Sequence, residues 1–506
     1  MSLTNSHETL SNFLNSQPEW LLIEPSGKSF ALGKHEIETV LREGRLLISF
    51  LSDAGFQTWR IAAFERKKRE IVIDLTRNFG RDRQKIRLVP RVSAEELGGA
   101  VELARLEKAN RIAALLAGET PQTRLGRVEL NRRSGRFARI IFKQNRIRKA
   151  ALTDVSETAT PEIHLAGAIL WLRGLEKRKK NPITEIRILA GKKTSGDLQK
   201  LCALLRDEWR RKIKILKILS TAAKEKTADG KKQKSEGSKT QIGLVAVKSL
   251  QMENLWRGKP ARPKPEGKTK MSQTAREIIR LAPDRIDHIF TRQGETLRFS
   301  GLPFARVRKM FGREKCWFGI EREKRLLTHR TSEEFEKLVG DLKNYRRFDS
   351  SYRRHAFYRL APEAWMESIL RRNIKRLDAN LILSPVYNQF RASGDRIDLL
   401  ALRRDGRLVI IELKVTADRE MIFQAVDYWR KIELQRRKGI LAEISLFGDR
   451  PIADRPAIIY LVAPTLGYHR DFSLLAETVS EEIEIYRFDL AENWREELKV
   501  LRREKR

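Results

Sequence analysis

The chain has 506 residues and carries 103 Lys and Arg against 66 Asp and Glu, a formal net charge of +37 at pH 7. A surplus of this size attracts phosphate polymers, so we expect a nucleic-acid partner. The basic residues are spread along the chain instead of gathered on one amphipathic helix, which argues against a membrane partner. The two cysteines, Cys202 and Cys316, are too few for a disulfide scaffold and too far apart for a zinc knuckle.

Length and hydrophobicity predict a globular protein of several domains, and the strand and helix patterns along the chain predict the class α/β (α+β multidomain). A chain of this length holds about three domains, and a hydrophobic content of 41% is enough for their cores. The first residues, MSLTNSHETL, lack a basic region followed by an apolar core, and no apolar stretch reaches about 18 residues. We therefore expect a cytoplasmic protein.

Two units precede a predicted linker. Residues 1–92 form a strand-rich N-terminal unit, because segments such as RLLISFL and REIVIDLT alternate apolar and polar side chains. Residues 93–219 form a basic α/β unit, with a helix over 93–117, the hairpin GRVELNRRSGRFARIIF, and then strand, helix, strand and helix. Residues 220–270 are predicted to be a flexible linker, since TAAKEKTADGKKQKSEGSKT has hardly an apolar side chain to bury.

A small α+β unit, residues 271–350, leads into a C-terminal domain, residues 351–506. Basic and aromatic residues alternate from Tyr345 to Arg354, where the two meet. Such mixtures suit phosphate contacts combined with stacking on bases, so we expect Arg353 and Arg354 to contact substrate. The alternative is a solvated face whose aromatic rings pack in the core.

The most informative motif lies in the strand VIIELKV. Its apolar residues alternate with Glu412 and Lys414, so the strand buries one row and presents a carboxylate and an ammonium together on its other face. Asp398 belongs to a preceding strand, and Asp405-Gly406 marks a hairpin between the two. The length of the hairpin loop decides whether Asp398 shares the face of Glu412.

A three-residue loop would place Asp398 beside Glu412. A two-residue loop pairs Asp398 with Leu413 instead, which turns the aspartate away from Glu412. A type I turn over residues 404–406, closed by Gly406 in the left-handed region, pairs Asp398 with Glu412 and Arg396 with Lys414. We predict this second register because the glycine stands where the turn requires a positive φ.

Two carboxylates and a lysine on one face make a candidate site for Mg²⁺ or Mn²⁺. These ions prefer carboxylate and water ligands together with substrate phosphate, so Asp398 and Glu412 are the candidate metal ligands. Such an ion polarises a phosphodiester and activates a bound water, while Lys414 can orient the water or stabilise developing negative charge. The alternative is an ordinary hairpin with a solvated salt bridge, because E-x-K is common on exposed strands.

The helix after this strand offers a polar stripe. Gln424 and Tyr428 are four residues apart, and Lys431 follows on the same side, whereas residues such as Phe423 belong to the buried side. We expect the stripe and Arg396 to contact the substrate. The alternative is that the glutamine and the tyrosine only pack.

In this order, the pieces resemble the PD-(D/E)XK nuclease superfamily, in particular its RecB-like domains and the C-terminal domain of NucS-type endonucleases. The resemblance covers about residues 355–490, and Ile397 stands where the name of the superfamily has proline. The matching pieces are Glu367 in the leading helix PEAWMESILRRNI, the run Gly394-Asp395-Arg396-Ile397-Asp398, the triplet Glu412-Leu413-Lys414, and Gln424 with Tyr428.

This resemblance implies a restriction-endonuclease-like core, with a helix, a mixed sheet around a hairpin, and then helix, strand, helix and strand. It also implies a Mg²⁺-dependent nuclease, an endonuclease acting on DNA, in which Glu367 assists Asp398, Glu412 and Lys414. The sequence leaves RNA as substrate and exonuclease action open. The basic N-terminal modules would then bind substrate. The alternative is a non-catalytic nucleic-acid-binding protein that retains the nuclease fold, and the intact Asp398, Glu412 and Lys414 argue against it.

The predicted elements of residues 93–219 follow the same order as those of the C-terminal domain, namely hairpin, helix, strand and helix. This unit lacks an E-x-K triplet, so it is a candidate for an inactive duplicate. The sequence leaves the oligomeric state open, a dimer included.

Overall fold

The computed structural model separates into two compact units. The first comprises Met1–Thr160, Arg178–Lys192 and Leu216–Ala246, and the second comprises Pro161–Lys177, Lys193–Ile215 and Val247–Arg506. The structure describes residues 3–17, 19–23, 29–33, 36–52, 55–67, 70–77, 80, 82–90, 94–130, 136–156, 158–178, 180–221, 241–260, 270–291, 294–310, 313–321, 324–383 and 398–506.

The N-terminal region forms a seven-stranded antiparallel sheet, in the order β2-β1-β7-β6-β5-β4-β3. Its inward side chains, among them Trp20 and Phe50, form one core with residues of helix α1 (Leu3–Asn15). This region is rich in strands, with α1 as its first element. The strands are β1 (Glu19–Ile23), β2 (Ser29–Gly33), β3 (Ile37–Arg42), β4 (Arg45–Ser52), β5 (Gly55–Arg66), β6 (Ile71–Arg77) and β7 (Asp82–Pro90).

A second sheet has six strands side by side in chain order. Three antiparallel strands come first, the fourth strand is parallel to the third, and the last two strands are antiparallel to each other. The strands are β8 (Arg124–Leu130), β9 (Phe137–Gln144), β10 (Ile147–Asp154), β11 (Ile186–Ala190), β12 (Ile213–Thr221) and β13 (Gln241–Ala246). The helices of this region are α2 (Ala94–Ala117), α3 (Pro161–Glu176), α4 (Lys192–Cys202) and α5 (Asp207–Lys212).

Part of the predicted linker, residues 220–270, has regular structure. Strand β13 pairs antiparallel with β12, and helix α6 (Met252–Leu255) follows it. The pairing explains the difference, because QIGLVA is an apolar run that can extend an existing sheet by backbone hydrogen bonds. Residues 222–240 and 261–269 lie outside the described part of the chain.

A third, five-stranded antiparallel sheet occupies the small unit predicted at residues 271–350. Phe299, Phe304 and Phe335 lie in its core. The strands are β14 (Ile286–Thr291), β15 (Gly294–Phe299), β16 (Leu302–Met310), β17 (Arg313–Phe318) and β18 (Arg325–Leu326), and the helices are α7 (Gln273–Arg280), α8 (Ser332–Tyr345) and α9 (Ala356–Arg359).

The fourth sheet contains the hairpin with the E-x-K triplet. Its six strands also lie side by side in chain order. The first two pairs of neighbouring strands are antiparallel, the next two pairs are parallel, and the last pair is antiparallel. The strands are β19 (Leu381–Leu383), β20 (Leu399–Arg403), β21 (Leu408–Leu413), β22 (Ile458–Pro464), β23 (Ile485–Leu490) and β24 (Val500–Lys505), and the helices are α10 (Pro362–Arg372), α11 (Met421–Arg437), α12 (Ile440–Glu443) and α13 (Phe472–Glu477).

The two central strands of this sheet explain why its motif is unusual. Every residue of β21 and β22 is buried, as expected for parallel strands covered by helices, and α11 packs on both. A glutamate in β21 is therefore a buried carboxylate and does not belong to a solvated strand face.

At the level of fold class, the prediction of a mixed α+β multidomain chain is confirmed, with four sheets among the described residues. Within that part of the chain, no helix combines the length and the apolar character needed to cross a membrane.

Candidate metal centre

The hairpin of β20 and β21 has the register predicted from its loop. Leu399 pairs with Ile411 and Leu402 with Leu408, and the N–H of Arg403 donates to the carbonyl of Arg407 over 2.8 Å, which leaves residues 404–406 as the loop. Gly406 has a φ of 80°, and its N–H donates to the carbonyl of Arg403 over 2.9 Å. The prediction of a three-residue turn closed by glycine is therefore confirmed.

This register puts Asp398 opposite Glu412. Asp398 directly precedes Leu399, and its Oδ2 accepts a hydrogen bond of 2.9 Å from the backbone N–H of Leu413. The bond holds the aspartate against the end of β21. Arg396, which the sequence pairs with Lys414 as a substrate contact, lies outside the described residues.

Glu412 is a buried carboxylate that is only partly compensated. Its side chain is 4% exposed, and Oε1 lies 3.2 Å from the Nζ of Lys414. Its Oε2 has no hydrogen-bond partner among the described residues. Burial, followed by the charge of Asp398, raises the pKa of Glu412 well above its usual value, although Lys414 acts in the opposite direction.

Lys414 is held between two acids. Its Nζ lies 3.2 Å from Glu412 and 3.4 Å from the Oδ2 of Asp418, and its backbone N–H donates to Val462 in β22. Burial alone would lower the pKa of Lys414, but the carboxylates of Glu412 and Asp418 outweigh it and raise the pKa above its usual value. The ammonium is therefore charged at neutral pH and fixed in place.

The leading helix α10 brings Glu363 near the hairpin, whereas the sequence pointed to Glu367. The Oε1 of Glu363 lies 3.5 Å from the backbone nitrogen of Val415, just past β21. Glu367 lies one turn further along and is buried between Arg371, at 2.7 Å, and Arg298 of the third sheet, at 3.3 Å. The structure therefore assigns Glu367 to an ion-pair network.

Both glutamates belong to the same face of α10, since they are four residues apart. An arginine four residues after Glu367 was the available signal that Glu367 forms an ion pair. Asp418 was also missed as a partner of Lys414, although it lies four residues away in the sequence.

The predicted stripe on α11 is only partly available to a ligand. Gln424 is half-buried, and its Oε1 has no hydrogen-bond partner among the described residues. Lys431 forms an ion pair of 2.6 Å with Asp427 and lies over the ring of Tyr428 at 5.7 Å. Burial raises the pKa of Asp427, but Arg430 and Lys431 outweigh it and lower that pKa overall, so the charge of Lys431 is matched within the helix.

The basic and aromatic cluster before α10 divides between surface and core. Arg353 and Arg354 are exposed, and Arg353 pairs with Glu496 at 2.9 Å. Arg346 is fully buried, in contrast to a role at the surface, and donates to backbone carbonyls that include those of Phe299 and Leu360. Its burial lowers its pKa to about 9.

The described residues contain no group of three or more His, Cys, Asp and Glu side chains placed for one ion. Mg²⁺ commonly takes only one or two protein carboxylates and completes its shell with water and substrate phosphate. Asp398, Glu412 and the unpartnered Oε2 meet this smaller requirement, so these residues fit a hard divalent cation.

Comparisons of the chain with protein-family models, with curated proteins and with solved structures gave no match. The functional assignment therefore depends on the geometry of these residues.

Proposed function

We propose that this protein is a Mg²⁺-dependent nuclease that hydrolyses phosphodiester bonds of DNA, with Mn²⁺ as an alternative ion. In this proposal, residues 355–490 form the PD-(D/E)XK core that the sequence resembles. The support is the set of Asp398, Glu412 and Lys414 on one hairpin of a mixed sheet, with α10 and α11 beside it.

One observation is central to the proposal. Glu412 is buried beside a second carboxylate, and one of its oxygens has no partner among the described residues. An uncompensated buried charge is costly, so proteins pair such groups or use them to bind metal ions. A divalent cation between Asp398 and Glu412 would offset their repulsion.

A bound ion would polarise the scissile phosphate and lower the pKa of a bound water. The protein side chains would stabilise the developing charge and orient the metal ligand. Lys414, fixed by Glu412 and Asp418, would stabilise the negative charge that develops on the phosphate. The hydrogen bond from Leu413 would keep Asp398 oriented toward the ion.

The charge of the chain supports a nucleic-acid substrate. With a net charge of +37, the protein attracts polyanions over its surface, and the exposed Arg353 and Arg354 precede α9, which is followed by the helix that holds Glu363. Because phosphate contacts supply much of the binding free energy, removing a metal ligand should leave affinity largely intact.

The test uses labelled duplex, single-stranded and branched DNA and RNA of matched sequence, each with Mg²⁺ or Mn²⁺. We expect metal-dependent cleavage of DNA by the wild type, no cleavage by Asp398→Asn, and similar binding by both. Asp405→Asn is the matched control, because Asp405 lies in the turn of the same hairpin and pairs with Arg403. Binding without cleavage by the wild type would favour the non-catalytic alternative.

A further inference from the structure

The second and fourth sheets share their strand order and the directions of four strand pairings. Each places six strands side by side in chain order, begins with three antiparallel strands, pairs its third and fourth strands in parallel, and ends with an antiparallel pair. A helix follows the third strand in both cases, α3 in one and α11 in the other. Helices also connect the fourth and fifth strands, namely α4 and α5 in one and α13 in the other.

The first copy lacks the carboxylates of the second. Strand β9 corresponds to β20, and neither β9 nor the six residues before it include an Asp or Glu. The last residue of β10, Asp154, is its one acid, and both of its oxygens accept hydrogen bonds from the following loop. The lysine of β10, Lys149, pairs with Glu185.

Corresponding elements of the two copies contact each other within the second compact unit. Helix α3 packs against α11. Leu205, just past α4, forms an antiparallel bridge with Val479, just past α13.

The hydrogen bonds around this bridge are reciprocal. The N–H of Arg206 donates to Thr478 over 2.9 Å, and the N–H of Ser480 donates to Leu204 over 2.9 Å. When equivalent elements meet in this way, the contact is isologous, which is the pattern of a two-fold related dimer.

We propose that the chain contains two nuclease-like copies, in contact through α3 and α11, of which only the second has a cleavage centre, and that it therefore nicks one strand of duplex DNA. This inference depends on the proposed nuclease function. A symmetric dimer has two centres and can cut both strands of a duplex, whereas this arrangement supplies one. Each event adds one water across one P–O bond, with the hydroxyl on phosphorus and the proton on the leaving oxygen.

The experiment uses the full chain with Mg²⁺ and two substrates, a supercoiled closed circular DNA and a duplex with a different label on each strand. We expect open circles to accumulate before linear molecules, and one labelled strand to be cut per duplex under single-turnover conditions. The initial rate should rise with the first power of protein concentration. Asp154→Asn should nick like the wild type, and Glu412→Gln should not nick.

Linear molecules that form at the earliest times without open circles would overturn the inference, as would cleavage confined to single strands or a rate that rises with the square of protein concentration. Loss of nicking in well-folded Asp154→Asn would show that the first copy is active. Failure to cleave any nucleic acid would instead contradict the proposed function itself.

Discussion

Two buried glutamates near β21 differ in how their charge is compensated. Glu433, in α11, accepts hydrogen bonds from Arg436 and from the backbone N–H of Ala457, and it lies 3.5 Å from Arg437. Glu412 has one lysine, a neighbouring carboxylate and an oxygen without a partner among the described residues. Glu433 therefore has the environment of a structural residue, and Glu412 has that of a ligand.

We predict that Glu412→Gln stabilises the protein in the absence of divalent ions. The pKa of Glu412 is raised in the folded state, so the folded protein holds a proton that the unfolded chain has released, and stability falls as pH rises above about the usual value of 4.5. At pH 7 the neutral glutamine should raise the free energy of unfolding by on the order of 1 kcal/mol.

Denaturant unfolding in a chelating buffer would measure this difference. Glu433→Gln is the matched control and should lower the free energy of unfolding by on the order of 3 kcal/mol, since it breaks a buried ion pair. Equal destabilisation by both variants would show that Glu412 is a structural residue.

Lys414→Ala should reduce the rate of cleavage by about a hundredfold or more, because it removes a charge placed to stabilise the transition state. Metal affinity should change little, since an ammonium is not a metal ligand. Single-turnover cleavage at saturating Mn²⁺ would measure the effect, with Lys438→Ala as the control at an exposed lysine. A cleavage rate within a factor of two of the wild type would show that Lys414 does not stabilise the transition state.

At the scale of elements, the hairpin could be predicted because its determinants are local. The spacing of Asp398, Gly406 and Glu412 allowed only one register that combined a glycine at a positive φ with both acids on one face. The position of α10 could not be predicted in the same way. It depends on Arg298, far away in the sequence, and on Gly301, where a Cβ would lie 1.9 Å from the carbonyl oxygen of Ala364.

Gly406→Val should impair both stability and cleavage. A β-branched residue is strained at a φ of 80°, and its Cβ would lie 3.2 Å from atoms of Ala453 and Pro451. Gly448→Val is the control, since Gly448 has a φ of 65° with no neighbour within 4 Å.

We expect both glycine variants to lose about 1 kcal/mol or more of stability from backbone strain, and only Gly406→Val to lose Mn²⁺ affinity. Thermal unfolding and metal titration of the same samples would measure both effects. Unchanged Mn²⁺ affinity in folded Gly406→Val would show that the metal site does not depend on this turn.

At the scale of the whole molecule, sequence patterns predicted the local units better than they predicted which distant segments pair with each other. The strand-rich N-terminal sheet followed from alternating segments, and the similarity between residues 93–219 and the C-terminal domain corresponds to two sheets with the same strand order. The role of β13 was missed, because a strand that completes a sheet across a long connection has no local signal. Arg346 was misplaced for a similar reason, since its carbonyl partners come from two stretches of chain, residues 299–300 and 357–361.

The net charge of +37 predicts a strong effect of salt on nucleic-acid binding. Each phosphate contact contributes about 0.9 to the slope of log affinity against log salt concentration, so we expect a slope of about −5 or steeper. Fluorescence anisotropy with a catalytically inactive variant, Glu412→Gln, and with the wild type in chelator should give the same slope. A shallow slope of about −1 would contradict binding through the basic surface.

The most direct test of the metal centre is a calorimetric titration of the full-length protein with Mn²⁺. We predict that the wild type binds the ion, that Asp398→Asn and Glu412→Gln each lose this binding, and that Lys414→Ala retains it. Wild-type affinity for Mn²⁺ in folded Glu412→Gln, or the absence of binding by the wild type, would contradict a metal centre formed by Asp398 and Glu412.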